Sequence, residues 1–110
     1  MHEMSITQSV VEICEGHAGG RRVTDVVLEI GELSGVVPES IEFCFEACIT
    51  GTLLEGARLK LEIVSAIGRC PACARQFPIT SLFEHCPSCG GFGLGIVSGE
   101  ELRVKELELE

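Results

Sequence analysis

Cys70-Pro71-Ala72-Cys73 and, after twelve further residues, Cys86-Pro87-Ser88-Cys89-Gly90-Gly91 decide how this 110-residue chain is put together. Two cysteines three positions apart at a tight turn aim both sulfurs at one point, and a second such pair completes a tetrahedron. Four thiolates suit zinc, with iron the main competitor. Proline after the first cysteine of each pair, and small residues around the second, are turn chemistry that lets backbone amides approach the sulfurs. A full set of four cysteines leaves no coordination position for water, so the expected site is structural zinc held by Cys70, Cys73, Cys86 and Cys89. His85 is the one alternative donor nearby; with the shell already filled, it reads as a solvent-facing loop residue.

The segment between the two pairs has few large apolar side chains, mainly Phe77, Ile79, Leu82 and Phe83. A stretch so poor in core residues needs a metal to hold a fold. The flanking sequence is rich in valine, isoleucine and leucine and can bury a core of its own. The formal charge of -9, with eight scattered basic residues, argues against nucleic acid, because phosphate binding needs clustered lysine and arginine. Of the seven cysteines, four sit in the pairs and three, Cys14, Cys44 and Cys48, stand singly in apolar contexts. With no signal peptide and no run of about 18 apolar residues, a reducing cytoplasm is the expected compartment and membrane insertion is not expected.

Outward from the cysteine pairs, the pattern is α/β. Met4, Ile6, Val10, Val11, Ile13, Cys14 and His17 recur at helical spacing, Ser5 with Gln8 offers a capping box, and Gly19-Gly20 ends the segment. His17 in its last turn suits the negative helix end. Val23 to Leu33 alternates as a strand, with Val26, Leu28 and Ile30 on one face. Pro38 opens a second helix whose stripe is Ile41, Cys44, Phe45, Cys48 and Ile49. Cys44 and Cys48 are four apart on that face, a spacing that also suits two metal ligands; because they fall on the core stripe, packing is the expected role. Leu59, Leu61 and Ile63 alternate in a further strand. Strand, helix and strand in that order predict a parallel pair. Leu94, Ile96 and Val97 suggest a ribbon strand, and a final strand through Leu102 and Val104 slips phase near Lys105-Glu106, which predicts a bulge or an end that leaves the sheet. The expected fold is two helices on a three-stranded mixed sheet, with a four-cysteine zinc-ribbon module inserted. The expected domains are residues 1–66 plus 99–110, and residues 67–98.

At the other end of the chain stands Met1-His2-Glu3. If the Met1 amine is free, it forms a five-membered chelate with the His2 amide nitrogen, and His2 Nδ1 closes a six-membered ring onto the same metal. Three planar nitrogens of this kind suit Ni(II) or Cu(II) and fit zinc poorly. Glu3 would add the fourth donor through its amide nitrogen or its carboxylate. Such a site is exposed and labile, which describes a carrier better than a catalyst.

Met1-His2-Glu3-Met4-Ser5, the run Val26-Val27-Leu28-Glu29-Ile30-Gly31-Glu32-Leu33-Ser34-Gly35-Val36, the helix opening Pro38-Glu39, the paired Cys-x-x-Cys knuckles and the closing Leu102-Arg103-Val104-Lys105 together resemble the HypA/HybF family over essentially the whole chain. The resemblance implies a nickel metallochaperone rather than an enzyme. It would take Ni(II) at Met1, His2 and Glu3 and deliver it, with a GTPase partner of the HypB type, to the large subunit of [NiFe]-hydrogenase; self-association as a homodimer is compatible with it. The zinc site would be structural and responsive to nickel loading or pH. The competing reading is a zinc-ribbon adaptor that recruits a partner and carries no nickel. An enzyme or redox role finds no nucleophile with an activating base.

Overall fold

The computed structural model describes residues 3–81 and 84–110. Helix α1 runs Glu3–Ala18, strand β1 Val23–Gly31, helix α2 Pro38–Ile49, β2 Arg58–Val64, β3 Ile67–Arg69, β4 Gln76–Pro78, β5 Gly95–Ser98 and β6 Leu102–Leu109. They form two three-stranded sheets, ordered β2-β1-β6 and β4-β3-β5. The first sheet is mixed: β1 lies at its centre, parallel to β2 from Asp25 opposite Arg58 to Gly31 opposite Val64, and antiparallel to β6. The expected fold class, helices and parallel pair included, is the one observed. No helix among the described residues is long and apolar enough to cross a membrane.

Helix α1 begins two residues before the expected Ser5, so Ser5 lies inside it and no capping box starts there. Thr7, in its first turns, is fully buried and donates its hydroxyl to the Glu3 carbonyl at 2.7 Å. That bond satisfies a polar group that would otherwise be costly to bury. The buried stripe is Thr7, Val10, Val11, Cys14 and Ala18, which leaves Met4 and Ile13, expected on the core face, 41% and 50% exposed. Gly19 and Gly20, both at positive φ, end the helix as expected.

The core joins that stripe to Val23, Val26, Leu28 and Ile30 of β1, to Ile41, Phe45 and Ile49 of α2, and to Leu54 in the turn before β2. Cys44 is buried, whereas Cys48, expected in the same stripe, is only half-buried. Ile63 keeps the phase of Leu59 and Leu61 yet is exposed, because it stands near the end of an edge strand. Strand β1 stops at Gly31, two residues short of Leu33, where Ser34 turns back to donate to the Gly31 carbonyl at 3.0 Å.

The phase slip in the last strand is a bulge. Val27 faces Glu106 and Leu28 faces Val104, which leaves Lys105 as the extra residue. It brings Leu102, Val104, Leu107 and Leu109 all against the core and keeps the strand in the sheet to its end. On the opposite sheet face Arg58 pairs with Asp25, Arg103 with Glu29, and Lys105 with Glu62 at 2.8 to 2.9 Å. These exposed pairs fix register more than they add stability.

The two sheets meet at a tight joint. Gly31 N–H donates to the Glu101 carbonyl at 2.7 Å, Leu33 N–H to the Gly99 carbonyl at 2.6 Å, and Glu32 N–H to the Val64 carbonyl at 3.0 Å. Two carboxylates close it: Glu32 accepts from the Ala66 amide and Glu101 from the Gly99 amide, each at 2.7 Å. A Cβ on Gly31 would lie 2.1 Å from the Gly99 oxygen, and one on Gly99 would lie 2.5 Å from the Ala66 Cα. Only glycine fits at either position.

Candidate metal centre

Strands β3, β4 and β5 form a short ribbon, β3 pairing antiparallel with both neighbours. The turns after β3 and before β5 carry the two cysteine pairs, and they are built alike. In the first, the Cys70 carbonyl accepts from Ala74 N–H at 2.8 Å and the Cys70 amide donates to the Arg75 carbonyl at 3.0 Å. In the second, the Cys86 carbonyl accepts from Gly90 N–H at 2.8 Å and the Cys86 amide donates to the Gly91 carbonyl at 3.0 Å. The residue after each second cysteine, Ala74 or Gly90, has positive φ, 61° and 71°.

The repeated turn brings all four sulfurs within 4.8 Å of one another. Cys70 Sγ and Cys89 Sγ are 3.5 Å apart, and Cys73 Sγ and Cys86 Sγ 3.6 Å. Bonds of about 2.3 Å to a central zinc would set tetrahedral edges near ~3.8 Å, so the cluster has the dimensions of a tetrathiolate site and could hold a metal ion. Cys70 and Cys86 are buried and Cys73 and Cys89 exposed, one of each from either pair. Gly91 packs beneath them, where a Cβ would press at 3.3 Å on the sulfurs of both Cys70 and Cys89.

The protein's own dipoles prepare part of the charge. The Cys73 amide foremost, joined by that of Ala72, holds the Cys70 thiol down at about 6 against the opposing effect of burial. Burial raises Cys86, but hydrogen bonds from the Cys89 and Ser88 amides, joined by the Cys73 and Cys89 thiols, outweigh it and lower the thiol. The Gly91 amide favours a thiolate at Cys89, yet hydrogen bonds to Cys70 and Cys86, with burial, push that thiol up to about 12. Four close sulfurs cannot all carry charge unaided; a cation at their centre removes the conflict and displaces the remaining protons.

His85 is exposed and lies outside the sulfur cluster; its ring meets that of Phe92 edge-on with centroids 4.3 Å apart. His17 stays exposed in the last turn of α1. Cys14 is a buried packing residue whose thiol burial pushes up to about 11. Among the described residues the four-cysteine cluster is the one grouping of three or more such ligands. Of the N-terminal triad, Met1 and His2 lie outside the described residues; Glu3 is the half-buried first residue of α1. Leu82 and Phe83 are likewise outside them.

A left-handed alanine costs roughly 1 kcal/mol. Ala74→Gly, which would make the first turn match the second, is therefore expected to raise the thermal midpoint of the metal-loaded ribbon while leaving its metal content unchanged. A lower midpoint would mean that the chain entropy of the added glycine outweighs the strain relieved.

The family model described as hydrogenase/urease nickel incorporation, metallochaperone, hypA, matches residues 1–109. The chain belongs to the HypA family. Similarity to HypA proteins extends over the full length: it is 77% identical over 110 residues to the hydrogenase maturation factor HypA of Geobacter sp. (strain M21), covering all of both chains. To the factor of the same name from Chlorobaculum tepidum it is 47% identical over 113 aligned positions, again covering all of both chains. The solution structure of the Ni metallochaperone HypA from Helicobacter pylori superimposes with a TM-score of 0.71 at 27% identity, over 99% of this chain and 97% of that one. HypA proteins are metallochaperones for hydrogenase maturation and not enzymes, as the sequence resemblance implied.

Proposed function

We propose that this chain carries Ni(II) at Met1, His2 and Glu3, and hands it to the large subunit of [NiFe]-hydrogenase with a HypB-type GTPase in the cytoplasm. The observation that carries this reading is the match of residues 1–109 to a nickel-incorporation family. The chemistry of the terminus supports it: an amine, an amide nitrogen and an imidazole in adjacent chelate rings form a planar nitrogen set that favours Ni(II) and Cu(II) over zinc. Glu3 is the first residue of α1, and the first N–H groups of a helix have no partner within it. Using the Glu3 amide nitrogen as a donor therefore breaks no helical hydrogen bond.

Zinc at Cys70, Cys73, Cys86 and Cys89 has a structural role in this reading. When bound, it supplies the cross-link that the ribbon's few apolar side chains cannot. Residues 67–98 then act as a zinc-binding domain, and residues 1–66 with 99–110 as the nickel-binding domain, joined through Gly31, Ala66 and Gly99.

Extending the chain by a few residues before Met1 removes the terminal amine as a donor. We expect nickel affinity to fall by at least about tenfold, the lower range even for losing a residue that only supports a metal ligand, with zinc content unchanged. Unchanged nickel affinity in that protein would sink the proposed chelate.

A further inference from the structure

Strand β2 is an edge of the larger sheet, and no described strand pairs with its outer side. The Val64 carbonyl accepts from Glu32 N–H at 3.0 Å, so Val64 turns its backbone groups toward the β1 side. Backbone direction alternates along a strand, so Arg58, Lys60 and Glu62 also face β1, while Leu59, Leu61 and Ile63 present N–H and C=O groups to the open side. The side chains of those three residues share the helix-covered face. Leu59 and Leu61 pack against the core, but Ile63 is 53% exposed. Along the same edge, α2 and β2 enclose an open groove whose lining includes Phe45, Ala57 and Leu59. The other edge, β6, is guarded: Lys105 bulges out of register, and the strand carries Glu106 and Glu108 between Glu101 and Glu110. Strand β2 pairs with β1 without a bulge, and its Lys60 and Glu62 are of opposite sign.

We propose that two copies of this chain pair antiparallel through β2, about a twofold axis at Leu61, so that their two sheets become one. In that register Leu61 faces Leu61 and Leu59 faces Ile63, and these are the residues whose backbone groups point outward. Each such pair exchanges both of its hydrogen bonds. Ile63 of each copy comes to lie beside Leu59 of the other, at the groove under α2, which covers the apolar side chain that the single chain leaves open. On the opposite face Lys60 meets Glu62 of the other copy, twice by symmetry. Within its own chain Lys60 reaches Glu62 only at 4.0 Å and is 73% exposed. Moving the axis by one residue would set Lys60 against Lys60 or Glu62 against Glu62, so charge fixes the register that the backbone permits. The pairing uses neither Met1-His2-Glu3 nor the cysteine cluster and does not depend on the nickel reading.

The test is sedimentation of full-length, zinc-loaded, nickel-free protein over a concentration series, run beside Lys60→Glu, Glu62→Lys and an equimolar mixture of the two. The expected result is a reversible equilibrium between monomer and dimer. Each variant alone opposes like charges at both places and should weaken dimerisation by about tenfold, although the two change the net charge in opposite directions. The mixture restores both Lys–Glu pairs and should associate as tightly as the unaltered protein. Both side chains are solvent-accessible, and unchanged zinc content and circular dichroism check that the variants fold. Amide hydrogen exchange reads the same interface: Leu59, Leu61 and Ile63 should gain protection as concentration rises, with Lys60 and Glu62 protected throughout. Variants that dimerise as tightly as the unaltered protein, or a mixture no tighter than either alone, would overturn the proposal. So would a chain that stays monomeric, which would leave the edge to a strand of a different protein.

Discussion

Cys70→Ser is expected to unfold residues 67–98 while the helices and the β2-β1-β6 sheet stay folded. Between those positions the buried apolar side chains among the described residues are Cys70, Ile79 and Cys86. Two of these three are sulfurs of the cluster, so the interior of the ribbon is largely the four-cysteine cluster. Structural zinc contributes about 10 to 16 kcal/mol of apparent binding energy in small metal-dependent folds. Nothing else in the ribbon approaches that: β3 and β4 are three residues each and β5 is four. The main core is drawn from residues 10 to 54, none from the ribbon. Amide spectra of Cys70→Ser, or of wild-type protein after chelation, should therefore lose dispersed signals for 67–98 and keep those of α1, β1, α2 and β6. Retention of both sets without metal would show that hydrogen bonding alone holds the ribbon.

Gly31→Ala should be the most damaging single methyl in the other half of the molecule. The new Cβ would sit 2.1 Å from the Gly99 oxygen and 2.6 Å from the Glu101 amide nitrogen, where Gly31 itself bonds to Glu101. Backbone, not a flexible side chain, blocks the space on both counts. Either the β1–β6 pairing opens at its end or the connection through Gly99 shifts off Ala66. Overpacking of this kind costs about 3 kcal/mol or more, which lowers the melting midpoint of a domain this size by roughly 12 to 24 °C. Gly16→Ala is the natural control. It adds the same methyl in α1, meets nothing within 4 Å, and should stabilise by up to about 1 kcal/mol. Equal midpoints for the two variants would mean that the joint yields more easily than its contacts imply.

These two cases also show what a single sequence reveals and what it hides. The cysteine spacing announced the tetrathiolate cluster because its geometry is local: each pair closes its own turn, with the same two hydrogen bonds in both. The β1, α2 and β2 segments were legible for a similar reason, since burial imposes its period on Val26, Leu28 and Ile30 and on Ile41, Phe45 and Ile49. Even the Lys105 bulge showed, as a break in that period. The joint did not, because Gly31 and Gly99 are far apart in the chain and nothing near either glycine marks the contact. The same holds for Leu54, a core residue in a turn, and for the Met4–Cys48 contact across two helices. Thr7 misled in a different way: counted as polar it belongs outside, but a hydroxyl that bonds back to its own helix can be buried. Ala74 carries no signal at all, since alanine gives no hint of a left-handed backbone.

The central claim is that the N-terminal residues form the cargo site, and a calorimetric Ni(II) titration of zinc-loaded protein with a native terminus, run beside His2→Ala, tests it most directly. The account predicts about one nickel bound per chain by the native protein and none by the variant at matched concentrations, with the same zinc content in both. If the two bind nickel alike, or neither binds it, Met1-His2-Glu3 is not an autonomous nickel site, and the chain serves its maturation pathway as a zinc-ribbon adaptor.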